Sequence, residues 1–127
     1  MITQLKKLFL VIFFTTLTII CPAIAEDNSE PLMIIRFNQD AVPYERQLQK
    51  AVSSALNVKP STFFDIVSVV PDTENKENNK QLRKESSYLT AQVIENIKKN
   101  GIADDRLRVT YQHSKIIENN EVQIFVR

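Results

Sequence analysis

Gly101 is the only glycine in a chain of 127 residues, and it divides two kinds of sequence pattern. Before it, in SSYLTAQVIENIKKN, Leu89, Val93 and Ile97 recur at the spacing of one helix face, with Tyr88, Ala91 and Ile94 flanking them. After it, Leu107, Val109 and Tyr111 alternate with Arg106, Arg108 and Thr110, which is the period of a strand. A lone glycine at that switch suits the left-handed residue that closes a helix, and Ile102 stands where an apolar side chain folds back onto the last turn. Lys98 and Lys99 lie at the carbonyl end of the helix dipole, where cations are favoured. Ser86 or Ser87 supplies a cap if the helix begins that late.

The remaining elements follow from the same reading. PLMIIRF gives a first strand over residues 32–37, and its near-continuous apolar run predicts burial on both faces, hence a central place in the sheet. In AVPYERQLQKAVSSALNVKP, Pro43 suits a first helical turn and Tyr44, Leu48, Val52, Ala55 and Leu56 share a face. Glu45, Arg46, Gln49 and Lys50 take the opposite face, so this helix lies on the sheet and ends near Asn57. STFFDIVSVVP predicts a mostly buried second strand over 63–70, interrupted by Asp65 and Ser68 and closed by Pro71. QHSKIIENN reads as a short helix or a loop. Val122, Ile124 and Val126 then alternate with Gln123, Phe125 and Arg127 in a closing strand that gives the sheet another partner. The order is β-α-β-α-β-β, an α+β class with helices packed on one mixed sheet.

The chain opens with two lysines, an uncharged apolar stretch over 8–20 and Ala23-Ile24-Ala25 before an acidic segment, the order of a secretory signal peptide over 1–25. The stretch is short of the roughly 20 residues that a membrane-crossing helix needs. The large branched Ile20 before Cys21 argues against a lipid anchor, and the cysteine is expected to leave with the leader. Cleavage after Ala25 leaves 102 residues without cysteine, which excludes disulfides and thiolate metal sites within one chain. Lys6 and Lys7 go with the leader, so 14 basic residues face 15 acidic ones and nothing electrostatic favours nucleic acid or an anionic membrane. Residues 26–31 read as a flexible lead-in and 32–127 as a single domain with one modest core.

No catalytic or cofactor motif is present. His113 is the only histidine, and no serine stands in a G-x-S-x-G or S-x-x-K setting. A single glycine excludes a glycine-rich phosphate loop. No enzyme, cofactor or metal is expected. DTENKENNKQLRKES, the most polar segment, reads as a solvated loop whose last part begins the second helix; loops held by a scaffold are where ligand sites concentrate.

GIADDRLRV, NNEVQIFVR and PLMIIRFNQDAVPYERQLQKAV together resemble the OmpA-like C-terminal domain, a periplasmic module that holds the diaminopimelate-type cell wall. The resemblance spans nearly the whole chain after the leader and is carried by pattern-level motifs. It implies an aspartate after the second strand and an arginine on the second helix that together grip zwitterionic diaminopimelate, a guanidinium matching a carboxylate plane. Counting back from Gly101, the arginine position falls at Leu89, followed by Thr90 where alanine is usual. The aspartate position falls at Glu74, with Asp72 as a second acid, and the family's final-strand arginines fall at Asn120 and Glu121. The anionic half of the grip is kept and the cationic half is lost, unless Arg83 or Lys84 substitutes from the loop. Leu89 is expected in the core.

Two roles follow as expectations. One is an exported structural or interaction protein of the envelope, in contact with other envelope proteins; small OmpA-like proteins accompany envelope-spanning assemblies such as type IVB secretion systems. The other is a wall-binding module that reads peptidoglycan through Asp72 or Glu74 with Arg83 or Lys84.

Overall fold

A computed structural model describes residues 30–127. The leader read over 1–25, with Cys21, and the first residues of the lead-in lie outside the described residues. Strand β1 (Met33–Arg36) leads to helix α1 (Glu45–Val58), strand β2 (Phe64–Pro71), helix α2 (Lys76–Lys98), a single 3-10 turn (Asp104–Arg106), strand β3 (Leu107–Ser114) and strand β4 (Glu121–Val126). Among the described residues the class is α+β, with two helices and one mixed four-stranded sheet in the order β1-β4-β2-β3. β4 runs antiparallel to both β1 and β2, whereas β3 runs parallel to β2. Among the described residues no helix is long and apolar enough to cross a membrane.

The register sorts side chains between the two faces of the sheet. Ile66 stands opposite Ile124 and Val109, Ser68 opposite Val122 and Tyr111, and Ile35 opposite Val122, so these residues share one face. That face meets both helices: Ile35, Phe64, Ile66, Val122 and Ile124 form one buried cluster with Leu48 and Val52 of α1 and Val93 and Ile97 of α2. Buried side chains of this size each stabilise the fold by about 1.5–3 kcal/mol. Asp65 lies on the other face, where it accepts from Arg127 Nε at 3.0 Å and from an Arg108 guanidinium nitrogen at 2.9 Å. The polar interruption of β2 is thus a carboxylate held by two arginines.

The first strand is an edge strand rather than a central one. It spans only four residues and pairs with β4 alone, because the closing strand inserts between β1 and β2. Ile35 is buried on the helix face, but Ile34 points the other way and is only half-buried. An apolar run of this length therefore reported one buried face plus a partly covered one.

Helix α2 also departs from expectation. It has 23 residues and starts at Lys76, so most of the polar segment is helix rather than loop. The start is set by local hydrogen bonds. Asn75 caps the helix with its side chain, accepting from Asn78 N at 3.1 Å, and Asn79 Oδ1 accepts from Thr73 N at 2.8 Å and from Thr73 Oγ1 at 2.7 Å. The Asn75 bond satisfies a first-turn N–H that a helix end otherwise leaves orphaned, and the Asn79 bonds hold Thr73 of the preceding loop against the helix's first turn.

The buried stripe of α2 is Ser86, Thr90, Val93 and Ile97, so neither serine caps the helix. Ser86 is 1 % exposed, its hydroxyl 2.6 Å from Ser68 Oγ of β2, and Thr90 Oγ1 donates to that same oxygen at 2.9 Å. Three small hydroxyl residues bring helix and sheet together and satisfy one another there. Leu89, one position round, is half-buried and stands outside the core.

At its other end α2 follows the sequence. Gly101 has φ +82° and Ile102 is 4 % exposed. QHSKIIENN contains no helix: Gln112 to Ser114 extend β3, and the rest is a bend leading into β4.

Candidate functional site

A groove of about 580 Å³ opens between the β1–α1 loop and the N-terminal half of α2. One wall is Phe37, Asn38, Gln39 and Asp40, where the chain leaves β1; the other is Gln81, Lys84, Glu85, Tyr88 and Leu89 of α2. Asn119, just before β4, closes one end. The α2 residues recur every three or four positions, so one helix face supplies that wall.

The walls are fixed from behind. Phe37 meets Tyr44 edge to face, with ring centroids 5.9 Å apart, and Phe37 N donates to Asn120 O at 3.0 Å. Asn120 is 4 % exposed and its Nδ2 donates to Leu82 O at 3.1 Å, which ties the end of the β3–β4 loop to α2. Asn120 Oδ1 is buried and, among the described residues, has no hydrogen-bond partner.

Chemically the groove is amide-rich and mixed in charge. Asp40 and Glu85 bring carboxylates and Lys84 brings the cation; no arginine lines it. Glu85 Oε1 accepts from Gln81 Nε2 at 3.3 Å, and Gln39 Nε2 donates to Ala41 O at 3.3 Å, while among the described residues Lys84 makes no ion pair. Phe37, Tyr88 and Leu89 give it apolar floor and sides. Such a surface offers hydrogen bonds and one ammonium to a ligand, without the planar fork that grips a carboxylate in two places.

Of the four residues that the sequence put forward, the structure brings one to this groove. Lys84 lines it; Arg83, its neighbour, is exposed elsewhere on α2. Asp72 follows β2 directly, its N donating to Ser114 O at 2.8 Å and its Oδ1 accepting from Asn79 Nδ2 at 3.4 Å. Glu74 is exposed between Thr73 and the cap residue Asn75 and does not line this groove. The two acids thus sit in the short β2–α2 loop just ahead of the cap, where Asp72 is tied to Asn79 of the helix's first turn and Glu74 is exposed. Leu89 does line the groove, at the position to which the resemblance assigns an arginine. Glu121, an expected arginine position, accepts from Arg36 Nε at 3.2 Å and from Gln123 Nε2 at 2.8 Å.

Sequence reasoning missed the wall formed by residues 37–40. Its signal was the short polar stretch Asn38-Gln39-Asp40 between an apolar strand and Pro43, a loop at a strand end. Among the described residues no group of three or more His, Cys, Asp or Glu is placed to hold a metal ion. His113 is exposed on β3, opposite Val70 in the register. No protein-family model matches the chain, and comparison with curated proteins gives no match.

Proposed function

We propose that this chain is an exported, non-enzymatic protein of the bacterial envelope, with an OmpA-like fold kept for contacts with other envelope proteins rather than for gripping the wall. The α+β architecture, the element order and a groove bounded by α2 support the resemblance drawn from the sequence. One observation carries the choice of role: Leu89 lines the groove where the resemblance assigns the arginine, so the ligand-gripping guanidinium is replaced by an apolar side chain. Loss of one partner of a desolvated charge pair weakens binding by about 2–5 kcal/mol. An accessory place in an envelope-spanning, secretion-type assembly fits an exported chain of this kind.

A second reading has its own observation. Lys84 and Asp40 line the same groove and together offer a cation and an anion to a zwitterion. On that reading the chain binds diaminopimelate-type peptidoglycan through Lys84 and Asp40, not through Asp72 or Glu74.

Co-sedimentation with purified diaminopimelate-type peptidoglycan separates the two. The envelope-scaffold reading predicts that the protein stays in the supernatant. Pelleting that survives in D72A/E74A and disappears in D40A/K84A establishes wall binding through the groove and overturns the scaffold reading.

A further inference from the structure

The sheet has two edges, and they are built differently. β1 is four residues long and follows Pro31 closely, both devices that discourage a neighbouring strand from adding on. β3 has eight residues, pairs with β2 at every position from Leu107 to Ser114 without a bulge, and among the described residues has no partner on its other side. It contains no proline and no lysine. Its one arginine, Arg108, donates to Asp65 of β2. The helices leave this edge uncovered: Val109 is 38 % exposed and Tyr111 49 %, although both lie on the helix face of the sheet.

We propose that β3 is the surface through which two copies of this chain join, the β3 strands pairing antiparallel about a two-fold axis at Thr110 to continue one sheet across both copies. The inference is independent of the groove and of the role proposed for it.

The sequence of β3 selects this register. Residues opposite each other in an antiparallel pair face the same side, so a two-fold axis normal to the sheet must centre on a residue rather than between two. Centred on Thr110, the pairing sets Val109 against Tyr111 of the second copy, and Tyr111 against its Val109. Aromatic with β-branched is a favourable cross-strand pair, as is threonine opposite threonine. Arg108 falls opposite Gln112 and Leu107 opposite His113. Beyond the strand ends, Asp105 in the 3-10 turn comes towards Lys115 in the following bend of the second copy, and both are exposed and without an ion pair among the described residues. Every copy supplies both halves of each pair, as an isologous interface requires. A register centred on Arg108 would instead oppose two guanidiniums.

Sedimentation equilibrium tests this, using the full chain expressed with its own leader and purified in whatever processed form results. Wild type is expected at the mass of two copies. Thr110→Lys and Thr110→Glu, each alone, place like charges across the axis and are expected to associate roughly tenfold more weakly. An equimolar mixture of the two is expected to recover the dimer as a hetero-pair, with circular dichroism of each variant unchanged from wild type. Wild type at single-copy mass throughout its soluble range overturns the proposal. So does a dimer that both variants leave intact, or a mixture that does not recover.

Discussion

Tyr44 shows how much a single residue joins in this fold. It precedes α1, is 6 % exposed, meets Phe37 edge to face and accepts from Asn96 Nδ2 of α2 at 3.0 Å. Burial pushes its hydroxyl pKa above the ordinary 10.0, against the opposing effect of the Asn96 bond. The folded state therefore keeps a proton that the unfolded chain releases, so the contribution is intact below pH 10.0 and declines as pH rises towards the folded value. Urea midpoints measured from pH 8 to 11 are expected to fall at the alkaline end, and to fall less steeply in Tyr44→Phe. At Gly101, a Cβ would meet nothing within 4 Å, so substitution there is opposed by the backbone alone, with φ at +82°. Gly101→Val is expected to lower stability by about 1 kcal/mol or more, and Gly101→Asn by less, in urea denaturation. Glycine chemistry of this sort is local, which is why the residue and its consequence were both readable from sequence. Leu89 was not, since its apolar character fits a core stripe as well as a groove wall.

At the scale of elements, the strands and the C-terminal end of α2 were legible because their periods are local. The start of α2 was hidden because its cap is an asparagine within an asparagine-rich stretch, and its buried stripe because two of the four inward residues are hydroxylic. Ser86 reads as a cap until Ser68 is placed against it, and the contacts of Ser68 with Ser86 and Thr90 join residues 18 and 22 positions apart. A double-mutant cycle of Ser68→Ala with Ser86→Ala measures how far the hydroxyls act as a unit. Each single change is expected to cost about 1–2 kcal/mol, and the pair less than the sum by at least about 0.5 kcal/mol. Additive losses would mean that each hydroxyl is satisfied separately. The first strand was placed wrongly for a reason of the same kind: only pairing reveals that β4 occupies the centre.

For the whole molecule, the class and element order could be read from the sequence, whereas the groove could not. Its lining comes from three stretches, residues 37–40, one face of α2 and Asn119, which only the fold brings together. The acids at 72 and 74 do lie in a loop, but it is only the four residues between β2 and α2, and they do not line the groove. Of the four residues put forward for the grip, one, Lys84, lines this groove. The proposal that this groove does not bind the cell wall can be tested by NMR titration of the protein with a soluble diaminopimelate-containing muropeptide. The backbone amides of Asn38, Gln39, Asp40, Lys84 and Leu89 are expected not to move in wild type. Saturable shifts confined to those amides would contradict it and make the groove a working wall-binding site.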